Sequence, residues 1–516
     1  MRLRRKFPSL ALVLMMLLAA ILCGCADSAA ETETPAAVPE TEPVVPAEET
    51  VVSFLAMPEN GGTIAGISTQ TLLPGERTTK VEAVAAPGFV FVEWSDGEKN
   101  AVHREKRMTE DAEIYAIFEE TDESTPALYI NTADGKAVRS DQRTVGFTLT
   151  VTGLPRRYCL KEATGQIKTR GNASLGWPKL SYTIRLDQKV KLCGLGEGKN
   201  RNWVLISNHC DQSLMRNYLA FWLQAQMDGI PWSPDCRMVD VYLNGEYVGN
   251  YMLIEKVTTG PSRIDIENYE DTENLRADFL LELDQYANKS GEKGLTWFTA
   301  RGYPYEIRGE DNITKARCDY VDEWVTSAWD VICDGNEREI RKILNVESVV
   351  DSYIVAELTK NIDCGWSSFF LYRKDGVLYL GPAWDFDLAM GNDMRLDDGS
   401  YRRLYAAVER GFTQQNRWYI ELMEHDWFKK LVVERWNELW DAGLFEKLIE
   451  EYDRAYAMNY ESFEHNFERW PIFGQRLNQE PDSIRALGSV EEHRGVLREW
   501  LINRAAWLND TFNGDF

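Results

Sequence analysis

The chain has 516 residues, of which 44% are hydrophobic and 11% aromatic, and this composition supplies a large core and excludes a mainly disordered protein. Its length predicts two or three domains. The formal net charge of −25 argues against nucleic acid as a partner, because counterion release needs a basic surface.

The first 24 residues have the composition of an export signal. A basic start is followed by an apolar run over residues 7–22, which is typical of a signal peptide rather than a structural helix. The run ends in Leu22-Cys23-Gly24-Cys25, which resembles a bacterial lipobox in which Cys25 receives the lipid. A plain signal peptide or an uncleaved anchor helix is the alternative. We expect a lipoprotein of the bacterial cell envelope, anchored through Cys25, facing outside the cytoplasm and without a transmembrane helix in its mature chain.

Residues 25–50 are predicted to be a linker. Residues 26–50 contain four Pro, seven acids and no basic residue, so they cannot bury enough apolar surface to offset chain entropy. We expect an extended stalk that holds the folded part away from the membrane.

Residues 51–120 are predicted to form a small all-β domain. Glycines separate short runs at 80–85, 89–94 and 113–118, and the last of these alternates in the manner of a strand. The stretch from Gly62-Thr63-Ile64 to Ile114-Tyr115-Ala116 resembles the divergent InlB B-repeat of bacterial surface proteins, which implies a β-grasp-like fold. A single copy builds no array, and we expect a spacer rather than a ligand-binding unit.

The cysteines and histidines give little sign of a metal or disulfide framework. Five His residues make a His-rich zinc enzyme unexpected. Beyond Cys23 and Cys25 there are seven cysteines, an odd number without CxxC spacing, and we expect free thiols. They are Cys159, Cys193, Cys210, Cys236, Cys318, Cys333 and Cys364.

Residues 125–516 are predicted to form one large α+β unit. Strand patterns occur at 128–131, 146–152, 165–169 and 181–186, and a helix capped by Asp211 or Ser213 is expected to end at Gly229. Asn244-Gly245 predicts a tight hairpin turn between strands at 239–243 and 246–256. Beyond residue 315 the pattern is mostly helical, with one strand pair at 369–373 and 377–381.

The sharpest chemical signal lies at Trp384-Asp385-Phe386-Asp387. In an extended segment both carboxylates point to one side while the aromatic rings enter the core. Two such carboxylates, one hairpin away from Asp363, can hold Mg²⁺ against phosphate oxygens. The alternative is that both acids cap a turn, but a buried unpaired carboxylate is costly.

A second, weaker signal lies upstream. The segment Lys168-Thr169-Arg170-Gly171-Asn172 continues through Gly176 to Lys179, and its backbone amides could cradle phosphate. Lys179 or Arg185 on the next strand could reach the same phosphate. Alone, such a Gly-Asn turn is usually just a turn.

Taken together, these motifs resemble the CotH kinase family, named for spore-coat protein H. The resemblance covers about 125–400 and rests on ordered segments at 170–174, 178–185, 202–205, 211–217, 241–256 and 384–392. It implies an atypical protein-kinase-like two-lobed fold, with a small lobe at about 125–256 and a helical large lobe at about 257–516. It also implies ATP, Mg²⁺ or Mn²⁺, and transfer of the γ-phosphate to Ser or Thr of a protein substrate.

The resemblance assigns roles to four residues in the second half of the chain. Asp363 looks like the catalytic Asp and Asp385 like the metal-binding Asp, with Asp387 in support. Protein kinases carry a second metal ligand, Asn, five residues after the catalytic Asp, and here that position is Ser368. Because a hydroxyl is a weaker oxygen donor than an amide, activity with one metal, reduced activity or none are all open.

In the first half, Arg170, Lys179 and Arg185 are candidates for phosphate contact. Glu255-Lys256 falls where the strand pair meets the expected hinge, so these two residues are candidates for lining the adenine pocket. Arg216 has a structural interpretation, an ion pair with one of the many acids.

Two other classes of function compete with a kinase. A catalytically weak or inactive surface module could bind proteins or glycans through exposed aromatic rings. The candidate rings are Trp94, Trp177, Trp222, Trp232, Trp297 and Trp366. A glycoside hydrolase is less favoured, because no acid pair outside the kinase-like region has suggestive spacing.

Overall fold

The computed structural model describes residues 49–516 except 87, 88, 104, 105, 121–124, 142, 268, 270–272, 396, 409–415 and 515. The predicted signal segment, Cys25 and the stalk up to residue 48 lie outside the described residues. No helix within the described ranges is both long and apolar enough to cross a membrane. The chain is a mixed α/β protein that begins with an all-β region.

The all-β region contains seven short strands in two sheets, as its glycine-separated pattern predicts. The strands are β1 (Thr50–Met57), β2 (Gly62–Ala65), β3 (Thr69–Leu72), β4 (Val81–Ala85), β5 (Phe89–Trp94), β6 (Val102–His103) and β7 (Ala112–Glu120). One sheet has the order β3-β1-β7-β5 and the other β2-β4-β6. Its core is built around Phe54 and Trp94, whose rings lie 5.7 Å apart edge to face.

The next seven strands close into a barrel. They are β8 (Ala127–Thr132), β9 (Val145–Thr152), β10 (Leu160–Arg170), β11 (Ser181–Val190), β12 (Asn200–Ile206), β13 (Cys236–Leu243) and β14 (Glu246–Glu255). The order around the barrel is β10-β11-β12-β14-β13-β8-β9, and β9 pairs with β10 to close it. The predicted hairpin is confirmed: Asn244 and Gly245 both have positive φ, 53° and 85°, as a primed turn requires.

Helix α1 (Arg216–Ala225) lies between β12 and β13. It begins later than expected, with Met215 at its N-cap, and it ends before Gly229. The predicted cap, Asp211, accepts the Arg216 amide hydrogen at 2.9 Å. Its carboxylate therefore satisfies a free backbone donor of the first turn, although Asp211 itself precedes the helix.

The rest of the chain combines a five-stranded sheet with nine helices among the described residues. The sheet has the order β16-β17-β15-β18-β19, formed by β15 (Phe279–Leu283), β16 (Trp297–Ala300), β17 (Tyr303–Arg308), β18 (Phe369–Lys374) and β19 (Val377–Ala383). The helices are α2 (Ala287–Ser290), α3 (Lys315–Asp334), α4 (Glu337–Ile343), α5 (Val346–Thr359), α6 (Arg417–Met423), α7 (Asp426–Asp441), α8 (Leu444–Arg469), α9 (Asp482–Arg485) and α10 (Val490–Phe512).

The region 257–516 is therefore less helical than expected. The predicted pair β18–β19 is present, but it joins three further strands. All five residues of β15 are buried, so β15 shows no alternation of apolar and polar side chains and gives no strand signal in the sequence. Helix α5 leads directly into the loop that carries Asp363, and β19 leads into Trp384–Asp387, so these two elements place the acids that the sequence singled out.

Candidate functional site

The segment after β19 has the predicted alternation of buried aromatic rings and more exposed carboxylates, although its backbone is not extended at Asp385. Trp384 and Phe386 are buried, and their rings pack edge to face on Phe221 of α1 at 5.2 and 5.8 Å. Asp385 is exposed and Asp387 half-buried. Asp385 has φ +70°, a left-handed conformation that Asp tolerates better than most residues and that is frequent at functional sites.

Asp385 and Asp387 hydrogen-bond to each other through their side chains. The Asp385 carboxylate can be reached by solvent, but crowding by protein atoms raises its pKa, against the lowering effect of the Arg170 charge. Burial and the neighbouring Asp385 charge raise the pKa of Asp387 well above its usual range. Like charges at such close range oppose the simultaneous ionisation of both carboxyl groups.

Asp363 completes this group, which we call the acidic cluster (Asp363, Asp385, Asp387). It lies in the loop after α5, where its backbone amide donates to Asn361 Oδ1 at 3.0 Å. Burial, followed by the Asp385 charge, raises the pKa of Asp363 to about 7, and Arg395 opposes this shift. The structure therefore brings together the three acids that the sequence predicted.

Side chains of helix α1 hydrogen-bond to the backbone of the segment 383–389, which carries Asp385 and Asp387. Gln224 accepts the Ala383 amide hydrogen at 2.8 Å, and Asn217 accepts that of Phe386 at 2.8 Å. Arg216 donates to the Ala389 carbonyl at 3.1 Å.

Arg216 is also paired with Asp211 at 2.5 Å, with both side chains at most 2% exposed. The expected ion pair of Arg216 is thus confirmed, and the acid involved is Asp211. The Asp211 charge also raises the pKa of Asp387, so the anchored helix end lies close to the acidic cluster.

Arg170 brings a positive charge to the acidic cluster and lies among further cations. Arg170, at the end of β10, lies with its guanidinium carbon 5.3 Å above the Trp384 ring and interacts with the Asp385 charge. Burial lowers the pKa of Lys256, and so do three neighbouring positive charges. Those charges belong to Arg170, Arg308 and Lys168. We call these four residues the basic cluster.

The basic cluster is only partly neutralised by its own acids. Arg308 of β17 donates to Glu282 at 2.7 Å and to Glu306 at 2.9 Å. The sequence predicted Arg170 and Lys256 but missed Lys168 and Arg308. Lys168 shares a face of β10 with Arg170 because side chains alternate along a strand, so its signal was present. Arg308 had none, since β17 itself was not predicted.

Lys179 lies apart from both clusters in its contacts. Its buried ammonium donates to the Ser207 carbonyl at 2.8 Å, to the Asn250 carbonyl at 2.5 Å and to Asn466 Oδ1 on α8 at 2.8 Å. It also lies 4.8 Å from the Tyr251 ring. Burial lowers the pKa of Lys179 to about 7.

Two further residues predicted at the site, Glu255 and Arg185, make their contacts outside both clusters. Glu255 is buried in an ion pair with Arg263 and accepts the Asp235 amide hydrogen at 3.0 Å. Arg185 is exposed on β11 and makes no ion pair within the described ranges.

Ser368 lies in the Asp363 loop, directly before β18. Its φ is +59°, again left-handed. Its neighbour Ser367 donates to Asp284 at 2.8 Å, an acid that the sequence did not single out. Asp284 directly follows β15, which carries Glu282.

The donor set fits a divalent cation held by two carboxylates. Within the described ranges, no group of three or more His, Cys, Asp and Glu side chains is spaced to hold a metal ion. Mg²⁺ is commonly bound through one or two carboxylates plus water and substrate phosphates, which Asp385 and Asp387 can supply. Burial raises the pKa values of both groups, and a bound cation would favour their charged forms.

Two protein-family models match parts of the chain. A family model described as CotH kinase protein matches residues 167–508, which include the acidic and the basic cluster. A model described as divergent InlB B-repeat domain matches residues 52–122. A search of curated proteins found no match. Both resemblances that the sequence motifs carry are confirmed.

Proposed function

The chain belongs to the CotH kinase family, and on this basis we propose that it is an atypical protein kinase that transfers the γ-phosphate of ATP to Ser or Thr of a protein substrate. In this proposal the barrel (127–255) acts as the small lobe and the region 257–516 as the large lobe of a kinase-like fold. The nucleotide phosphates lie between them.

One observation carries the proposal: Arg170 of the basic cluster lies over the Trp384 ring and interacts with the charge of Asp385 in the acidic cluster. A nucleotide triphosphate with its metal ion presents both signs of charge at once, and phosphoryl transfer depends mostly on placing such charges.

Asp363 is proposed to orient the acceptor hydroxyl and to accept its proton. A pKa of about 7 suits this role, since a general base works best when its pKa is near the working pH. Asp385 and Asp387 would hold Mg²⁺ or Mn²⁺, with the Ser368 hydroxyl as a weaker ligand. When bound, the metal neutralises charge on the transferring phosphoryl group.

The phosphate oxygens are assigned to the basic cluster. Arg170 presents a planar fork of donors that matches phosphate geometry, and Lys256, Lys168 and Arg308 add positive charge around it. Lys179 could contact a phosphate only if its ammonium gave up its hydrogen bonds to three buried oxygens.

We propose further that the protein is exported and lipid-anchored through Cys25, with the acidic stalk next. Support comes from the N-terminal sequence and from the InlB B-repeat match, a domain type of surface proteins. The substrate would then be a cell-surface or exported protein.

A second function, a kinase-like surface module with weak or no activity, is favoured by Ser368. Most of the Trp rings considered for glycan binding are not available at the surface. Trp94 is buried, and Trp177, Trp222 and Trp232 pack against the core. Among these candidates Trp366 has the required exposure.

The experiment uses the full-length chain in detergent, with thermal unfolding and labelled ATP. We expect ATP with Mn²⁺ to raise the unfolding midpoint and to label the chain or an added protein. Arg170→Met should lose most of the nucleotide-dependent shift, while Arg201→Met, at an exposed site of the same barrel, should keep it. An unlabelled wild-type chain that still binds nucleotide would favour the inactive module.

A further inference from the structure

Two exposed apolar side chains lie beside the acidic cluster. Nine large hydrophobic residues are exposed within the described ranges, and five of these belong to the all-β region. Of the four others, Leu275 and Ile502 lie elsewhere on the CotH unit. Trp366 and Met394, 36% and 42% exposed, lie in the two loops that surround Asp363.

Their positions follow from short contacts to the cluster. The Trp366 amide donates to the Asp363 carbonyl at 2.9 Å, so the indole is held by the loop that carries the proposed base. Met394 lies between Asp393 and Arg395, and the charges of both act on the Asp363 carboxyl group. Each of the two loops therefore places one apolar side chain near Asp363. We call Trp366 and Met394 the rim.

Both residues are fixed at the backbone while their side chains remain exposed. The Trp366 carbonyl accepts from the Gln285 amide at 3.2 Å, and the Met394 amide donates to the Gln479 carbonyl at 2.6 Å. The Arg476 guanidinium donates a hydrogen bond to Met394 Sδ at 3.1 Å. A fixed backbone under an exposed ring is a binding surface that loses little entropy when it is covered.

On the premise of the proposed function, we infer that Trp366 and Met394 bind the acceptor protein through a bulky apolar residue next to its Ser or Thr. An extended acceptor advances about 3.3 Å per residue, so a hydroxyl at Asp363 places its neighbours over the rim. Tryptophan supplies rigid contact area and methionine adapts to varied shapes.

Charge at the rim supports an apolar rather than a charged neighbour. Asp393 and Arg395 pair with each other at 2.7 Å, so neither presents a free charge between the two apolar side chains. Arg476, which hydrogen-bonds to Met394 Sδ, is likewise paired with Asp482 at 2.5 Å, so a charged side chain covering Met394 would lose water and meet only charges that are already paired.

The test is peptide binding by fluorescence anisotropy, which does not depend on turnover. Two labelled peptides with a central Ser differ only in flanking Leu or Gly residues, and the full-length chain carries Mn²⁺ and a non-hydrolysable ATP analogue. We expect the Leu peptide to bind about tenfold more tightly, the gain from burying one such side chain. Trp366→Ala and Met394→Ala should bring the ratio close to one, and Trp366→Phe should keep most of it.

Matched controls are Leu275→Ala and Ile502→Ala, at residues exposed to 41% and 43%. They should leave the Leu-to-Gly ratio unchanged. A ratio that survives Trp366→Ala and Met394→Ala would overturn the inference, and so would a loss of ATP-analogue binding in Trp366→Ala with peptide binding intact. Transfer of labelled phosphate to the same peptides reports separately on the kinase function, so failure of either is distinguishable.

Discussion

Arg504 of α10 is predicted to contribute more to stability than any exposed arginine of the same helix. Its side chain is fully buried and donates to Glu357 Oε2 at 2.9 Å. It also donates to the Glu357 carbonyl at 2.6 Å, and to the Tyr401 and Arg403 carbonyls at 2.8 Å each. Arg504 thus joins α10, the end of α5 and the segment before α6.

Arg504→Met leaves the Glu357 carboxylate buried without its cation. The amides of Tyr405 and Ala406 still donate to it at 2.7–3.0 Å, and the Tyr353 hydroxyl still hydrogen-bonds to it. Removing one partner of a buried pair costs about 3–5 kcal/mol, and this is the expected loss in the free energy of unfolding.

The loss should depend on pH in a defined direction. Burial already raises the pKa of Glu357, and the Arg504 charge opposes that rise. In the variant the folded-state pKa rises further above the unfolded value. Because such a group stabilises the fold when protonated, the loss should be smallest near about pH 5 and grow towards about pH 8.

The assay is chemical denaturation of the full-length chain at both pH values. The matched control is Arg498→Met on the same helix, where Arg498 is 40% exposed and pairs with Asp453 at 3.0 Å. An exposed pair contributes about 0–1 kcal/mol. Glu357→Gln combined with Arg504→Met should recover part of the loss. A loss in Arg504→Met no larger than in Arg498→Met, or one independent of pH, would refute the reasoning.

Two further predictions concern residues of the site. Lys179→Met should lower the free energy of unfolding by about 1–3 kcal/mol, because buried oxygens lose their donor, while leaving affinity for ATP intact. Since burial lowers the pKa of Lys179 to about 7, wild-type stability should rise between about pH 7 and pH 10 more steeply than that of the variant, as denaturation at each pH would measure. Ser368→Asn should strengthen Mn²⁺ binding, measured by Mn²⁺-dependent thermal shift with ATP, because asparagine tolerates a φ of +59° and offers a better oxygen ligand. An unchanged Mn²⁺ response would argue that residue 368 does not face the metal.

Local chemistry made part of the fold predictable. Asn244-Gly245 and Asp375-Gly376 are turn sequences whose positive φ angles are present in the structure. The alternation in Trp384–Asp387 likewise identified which side chains enter the core. Each of these features is determined by a few neighbouring residues, so the sequence alone could predict it.

Other features depend on contacts between distant segments. Lys179 has the local sequence of a phosphate ligand, but Asn466, 287 residues away, supplies part of its surroundings. Arg308 joins the basic cluster only because β15 and β17 pair, and buried β15 carries no alternating pattern. The barrel likewise depends on the pairing of β8 with β13, which brings Ala127 opposite Asp240.

The proposed phosphoryl transfer requires the acidic cluster to bind a metal–nucleotide complex. The most direct measurement is calorimetric titration of ATP with Mn²⁺ into the full-length wild type and Asp385→Asn, followed by labelling with radioactive ATP. Asparagine keeps the size of the side chain and tolerates the φ of +70° at this position. We predict metal-dependent ATP binding and labelling in the wild type and loss of both in Asp385→Asn; equal binding and labelling in the two proteins would contradict the account.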